Sequence, residues 1–160
     1  MIVNEQLILP QGTPAPDFSL KSTNNRIITL SSFKGKKNII LVFYPADKTP
    51  VCTNQLAFYN ELVSVFEKYN AQLLAINNDS LGSHIEFASQ LDLDFPLLSD
   101  ETDNVLRSYG VFNSTSKTSL RALFVLDISS TIQWSYLSPV DINPGADGIL
   151  KALEKISPST

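Results

Sequence analysis

The one cysteine of this 160-residue chain, Cys52, stands in the stretch Tyr44-Pro45-Ala46-Asp47-Lys48-Thr49-Pro50-Val51-Cys52-Thr53. A thiol is a latent nucleophile, and its chemistry depends on the element that holds it. Before it runs the apolar segment Asn38-Ile39-Ile40-Leu41-Val42-Phe43, and after it an amphipathic stretch from Asn54 to Tyr69. The pattern predicts a buried strand, a short loop and a helix whose first turn carries the thiol. Thr49 is a candidate N-cap, since its hydroxyl can accept from an orphan backbone N–H, and Pro50 suits the first helical position. Cys52 is then the third helical residue, where the positive helix end and free N–H groups favour a thiolate and can hold an oxygen ligand.

Magnitudes decide whether the helix end is enough. A free thiol of pKa about 8.5 is only about 3% ionised at pH 7, and mostly-thiolate behaviour needs a pKa near about 6, or about 3.4 kcal/mol. A helix terminus supplies about 0.3 to 2 kcal/mol. One close arginine or lysine moves a neighbouring acid by about 1 to 3 pKa units. An activated Cys52 therefore requires a nearby cation from elsewhere in the chain.

The elements around this stretch follow from periodicity. Met1 to Pro16 reads as an extended lead-in. Asp17-Phe18-Ser19-Leu20 and Ile27-Ile28-Thr29-Leu30 flank a turn-rich segment and predict a β-hairpin, followed by a short helical turn closed by Gly35. Leu56, Tyr59, Leu62, Val63 and Phe66 recur at three and four residues, predicting one helix with Tyr59 and Phe66 in the core, where Tyr44 and Phe58 are also expected. Ala71 to Ile76 reads as a second core strand. Ser83 to Glu86 has capping-box spacing, so a helix is expected to start there, with His84 as a helix-start residue. Phe95 to Asp100 reads as a short strand. An acidic helix start at Asp100 to Asp103 leads to Tyr109, with Gly110 as the stop. Asp92, Asp94, Asp100 and Asp103 read as solvated loop and helix-start charges. A polar loop from Asn113 to Ser119 precedes a hairpin of Arg121 to Asp127 and Thr131 to Leu137, whose Trp134 suits a contact surface or the core equally. A last helix is expected from Asn143-Pro144 through Ile156. Strand–helix alternation followed by a terminal hairpin predicts a mixed sheet with helices on both faces, a three-layer α/β domain.

Composition sets bounds. At 43% hydrophobic and 18% charged, the chain suits a single domain over residues 1–160. Its net charge of −4 argues against nucleic acid as a partner. The N-terminus lacks the pattern of a secretory signal, no apolar run is long enough for a membrane span, and one cysteine excludes an internal disulfide or a zinc thiolate cluster. A cytoplasmic location is expected.

These residues resemble the peroxiredoxins, thioredoxin-fold thiol peroxidases whose signature is Pro, three residues, Thr or Ser, two residues, then Cys. Pro45, Thr49 and Cys52 match it. Phe43-Tyr44-Pro45 and Thr49 to Thr53 are most similar to the Q-type, or bacterioferritin comigratory protein, branch. Asp79-Ser80 with Ser83-His84, Phe95 to Asp100, Tyr109-Gly110-Val111 and Arg121 ahead of Phe124-Val125-Leu126-Asp127 extend the similarity from about Pro14 to Ile156. The resemblance implies a thioredoxin-like fold with an N-terminal hairpin extension, and it supplies Arg121 as the cation facing Cys52. It further implies that Cys52 attacks a peroxide and becomes a sulfenic acid. Thr49, Arg121 and the backbone N–H groups of Val51 and Cys52 would position the substrate, and Pro45 would shield the sulfur. Thr49 cannot fully serve as both helix cap and peroxide partner; the resemblance favours the second. No cofactor or metal is implied.

Two departures qualify it. Many Q-type members carry a resolving cysteine five residues after the first, where this chain has Ala57, and the family's common glutamate three residues after the cysteine is Gln55. The first dictates a one-cysteine cycle completed by an external thiol such as glutathione, thioredoxin or glutaredoxin, in a monomer or homodimer. The alternative is a redox sensor or binding module that uses Cys52 oxidation with little turnover. A thioredoxin-type oxidoreductase is disfavoured, because neither Thr49 nor Gln55 supplies the second cysteine of a CxxC pair.

Overall fold

The computed structural model describes residues 7–156. The chain begins with the hairpin β1 (Ser19–Ser22) and β2 (Ile27–Thr29), passes a 3-10 turn at Leu30–Phe33, and enters β3 (Asn38–Phe43). Then come α1 (Pro50–Glu61), α2 (Val63–Lys68), β4 (Ala71–Asn77), α3 (Leu81–Leu91), β5 (Leu97–Ser99) and α4 (Asn104–Ser108). The last part holds β6 (Phe112–Asn113), β7 (Thr118–Ser119), β8 (Arg121–Leu126), β9 (Ile132–Ser138) and α5 (Asp147–Ile156).

Seven strands form one mixed sheet in the order β2-β1-β5-β4-β3-β8-β9. β3, β4 and β5 run parallel, while β8 pairs antiparallel with β3 and β9 with β8. The N-terminal hairpin extends the sheet beyond β5. β3 is buried at every position because it is central and covered on both faces, which is why it reads as a continuous apolar run.

Strand alternation divides the core. Ile40, Val42, Leu73, Ala75, Leu123 and Val125 face the side packed by α1, α2, α3 and α5. Ile39, Leu41, Phe43, Leu74, Ile76 and Phe124 face the 3-10 turn, α4 and the ring of Tyr109, which lies 5.3 Å from that of Phe43. Complete burial of each Val, Leu, Ile or Phe side chain among them contributes about 1.5–3 kcal/mol. The layers are the expected three, with four of the five α-helices among the described residues on one face.

Several expectations change. The stretch from Asn54 to Tyr69 is two helices: at Leu62 the backbone tightens, its N–H donating to Tyr59 O three residues back. Phe58 is 40% exposed, because Cys52, Leu56 and Tyr59 already define the buried face and residue 58 lies off it. α3 starts at Leu81 with Ser80 as its cap, accepting the Ser83 N–H at 3.1 Å, so the capping-box start at Ser83 falls one turn late. The last helix starts at Asp147, since Asn143 Oδ1 accepts the Gly145 N–H at 3.0 Å and makes a turn in place of a helix start. Asp100 is buried, its Oδ2 accepting the Leu106 N–H at 2.8 Å, so it is no solvated charge. The polar loop after Phe112 is a small separate hairpin. Of the extended lead-in, residues 1–6 lie outside the described residues. Trp134 is half-buried and stacks on Tyr136 at 6.1 Å between ring centroids.

Candidate active site

The parallel strands β3, β4 and β5 all end at one edge of the sheet, and the loop after β3 opens there, as open α/β sheets place their sites. Thr49 is the N-cap residue by position, with extended backbone, and Pro50 begins α1. The Thr49 hydroxyl does not cap the helix. It donates to the Ala46 carbonyl at 3.0 Å, closing the loop, while Lys48 takes the left-handed conformation at φ 67°. The first backbone bond of α1 runs from Thr53 N–H to Thr49 O at 2.8 Å, so the N–H groups of Val51 and Cys52 precede the helical ladder. Cys52 is fully buried, Pro45 half-buried and Thr49 exposed.

Arg121 reaches this helix end by topology. β8 is antiparallel to β3, with Phe43 opposite Ala122, so β8 begins where β3 ends. Alternation then turns Arg121 to the same face as Leu123 and Val125, the face that carries α1. Its Nη2 donates to Cys52 Sγ at 3.2 Å, and Nη1 donates to Gln55 Oε1 at 2.6 Å. The Val140 carbonyl accepts from Nε at 3.0 Å and from Nη2 at 2.8 Å. Because Arg121 pairs with Ser138, the residues just after β9 are the ones that fall beside it. The structure thus brings Cys52, Arg121 and Gln55 together, 69 and 66 residues apart from Arg121 in sequence.

A second layer ties the site down. Gln55 Nε2 donates to the Tyr59 hydroxyl at 3.3 Å, which donates to the Gly145 carbonyl at 2.7 Å. Burial pushes the Tyr59 phenol up to about 12, against the opposing influence of Gln55 and Arg121. The segment after β9 is therefore held at both Val140 and Gly145.

Sequence reasoning missed Asp47. Its carboxylate accepts from Tyr44 OH at 2.6 Å, Ser83 Oγ at 2.8 Å and Asn77 Nδ2 at 3.3 Å, and meets His84 Nδ1 at 2.6 Å. Its backbone N–H donates to Asp79 Oδ2 at 2.8 Å, and His84 Nε2 donates to the Leu98 carbonyl at 3.0 Å. Burial alone would raise the Asp47 carboxyl, but the hydrogen bond and charge of His84, with Tyr44 and Ser83, hold it below the usual carboxylate range. Tyr44 is pushed well up by burial and by the Asp47 charge. His84 does lie in the first turn of α3, yet it is buried as part of the loop's anchor. A lone histidine and an acid inside the cysteine loop were the available signal.

The mixed seven-stranded sheet and a thiol at a helix start facing a guanidinium define a thioredoxin-like thiol enzyme. The AhpC/TSA family model matches residues 11–135, and the chain belongs to that peroxiredoxin family, the thiol-dependent peroxidases. It is 36% identical over 147 residues to chloroplastic peroxiredoxin Q of Sedum lineare, across 91% of this chain and 78% of that one. The reduced 2-Cys peroxiredoxin of Plasmodium vivax superposes with a TM-score of 0.84 at 27% identity, over 91% of this chain and 81% of that one. Xanthomonas campestris peroxiredoxin Q gives 0.79 at 27% identity, over 88% and 91%. Among the described residues no helix is long and apolar enough to cross a membrane.

Proposed function

We propose that the chain is a one-cysteine peroxidase of the Q-type branch, in which Cys52 reduces hydrogen peroxide and small organic hydroperoxides and is recycled by an external thiol. The observation that carries this is the 3.2 Å contact of Arg121 Nη2 with a wholly buried Cys52 Sγ. The Cys52 thiolate attacks the terminal peroxide oxygen; the S–O bond forms, the O–O bond breaks, and the departing alkoxide or hydroxide takes a proton from water. Arg121 and the N–H groups of Val51 and Cys52 stabilise the charge moving onto oxygen. The Thr49 hydroxyl, its proton given to Ala46 O, accepts the peroxide's hydrogen. Pro45 shields the sulfur, and the burial of Cys52 favours small peroxides.

With one cysteine in the chain, the sulfenic acid passes to glutathione, thioredoxin or glutaredoxin. A lone reactive thiol suits a reducing compartment such as the cytoplasm, with the chain acting as one domain over residues 1–160, monomeric or homodimeric.

The test is the intact mass of reduced protein after one equivalent of hydrogen peroxide with a sulfenic-acid trap, beside Cys52→Ser and Arg121→Ala. Rapid trapping at Cys52, slowed by about 10²-fold without Arg121, is expected. A wild-type thiol no faster than free cysteine overturns the reading. Rapid trapping without turnover by any added thiol supports the sensor reading instead.

A further inference from the structure

We propose that Gln55 is a positioning residue that leaves Cys52 as the one counter-charge of the buried Arg121 among the described residues, so that oxidation of the sulfur uncovers a positive charge which draws in the reductant as a thiolate anion. This rests on the peroxidase reading above and concerns the second half of the cycle.

The charge balance follows from Arg121's partners. Its acceptors are Gln55 Oε1, the Val140 carbonyl and Cys52 Sγ. An amide and a peptide carbonyl solvate a guanidinium but carry no net charge. Beyond Gln55 stands Tyr59, which keeps its proton up to about 12. Among the described residues the ion pairs are Lys48–Glu86 and His84–Asp47, and neither includes Arg121. Of the groups bonded to Arg121, only the sulfur can become negative.

A Cys52 thiolate therefore makes the buried set neutral. When the sulfur attacks a hydroperoxide it gives up two electrons to the breaking O–O bond, the alkoxide or hydroxide leaves with the negative charge, and Cys52 in its protonated sulfenic form no longer balances Arg121. In that form the set carries one positive charge on side chains that are buried, where an unpaired charge is disfavoured and an entering anion is favoured. A carboxylate of the same length at residue 55 would preserve neutrality in this state, and an amide does not. The excess charge attracts an incoming thiolate, which attacks the sulfenic sulfur, forms an S–S bond and releases hydroxide. A second thiolate then takes the outer sulfur as a disulfide and returns Cys52 to its anion. Thiols with further negative charge gain from the same field, and cationic thiols lose.

The first experiment oxidises the whole protein with one equivalent of hydrogen peroxide and follows its reduction by 2-mercaptoethanesulfonate, 2-mercaptoethanol and cysteamine at equal thiolate concentration. Wild type is expected to react about tenfold faster with the sulfonate than with cysteamine. High salt should shrink the ratio, and Gln55→Glu should abolish it. Equal rates for the three thiols, or a preference untouched by Gln55→Glu, overturn the proposal. Where Gln55→Glu does not fold, the wild-type series and its salt dependence decide.

A second experiment needs no peroxide. Cys52→Ser fixes an uncharged atom at the sulfur position, and it should lower Tm more in the wild-type background than in Gln55→Glu. Additive effects overturn the charge balance. If peroxide leaves wild-type Cys52 unoxidised, the peroxidase reading fails on its own, and this cycle still tests the role of Gln55.

Discussion

Asp47 Oδ2 and His84 Nδ1 lie 2.6 Å apart with their side chains 2% and 0% exposed, so the loop that carries Pro45 and Thr49 is anchored to α3 by a buried acid–imidazole pair. Asp47 is the charged centre of this anchor, and its carboxyl is held below the usual range. A group whose folded pKa is depressed contributes stability above its unfolded pKa, here about 3.9, and loses it as pH falls through the folded value. Urea denaturation should show wild type losing stability below about pH 4, and Asp47→Asn losing less over the same window. At pH 7 the variant should be less stable by about 1–3 kcal/mol, because His84, Ser83 and Tyr44 lose a charged acceptor. An unchanged acid limb in Asp47→Asn would place the titration elsewhere.

Tyr59 tests the link between α1 and the segment after β9. Its hydroxyl donates to Gly145 O and accepts from Gln55 Nε2. Tyr59→Phe keeps the ring against Phe66 but leaves both partners short of a bond, and should cost about 1–3 kcal/mol. Amide exchange should quicken at residues 139–146 before it does in β8. The loss should not vary between pH 6 and 9, since the phenol stays protonated up to about 12.

How far the site could be read from sequence depends on how local each part is. Thr49, Pro50 and Cys52 sit within one helical turn, so their types and spacing announce a helix start with a thiol. Arg121 is 69 residues away, and resemblance supplied it; the physical reason, an antiparallel β8 starting where β3 ends, needs the strand order. The Asp47–His84 pair was not legible, because α3 must first be known to pack against the loop. The Val140 carbonyl leaves no trace in sequence at all, since any residue there offers the same atom. The mixed sheet was legible because β3 is uniformly apolar and alternation appears only toward the chain's ends. The late start of α5 was not, since Asn143-Pro144 serves a turn as well as a helix start.

Gly148 tests the packing of α5 on β9. A Cβ added there would run into the Trp134 ring, which is itself stacked on Tyr136. The clash is with a rigid aromatic and cannot be relieved by a flexible side-chain end. Gly148→Ala should destabilise by about 1–3 kcal/mol despite alanine's better helix propensity. The emission of Trp134, the only tryptophan in the chain, should shift to the red as the ring is displaced toward water.

Thr49 separates a structural role from a chemical one. Had its hydroxyl capped α1, removal would cost about 0.5–2 kcal/mol of stability. It donates to Ala46 O in a loop exposed to solvent, and gives the helix no side-chain cap. Thr49→Val should therefore leave Tm within the range of ordinary surface substitutions, while the second-order rate of Cys52 oxidation by hydrogen peroxide falls by about 10²-fold or more. Thr49→Ser keeps the hydroxyl and should keep most of the rate. Stopped-flow oxidation of the two variants, with Tm measured on the same samples, distinguishes the roles. If Thr49→Val loses stability and retains its rate, the hydroxyl serves the loop alone, and the N–H groups at the start of α1 with Arg121 must hold the peroxide without it.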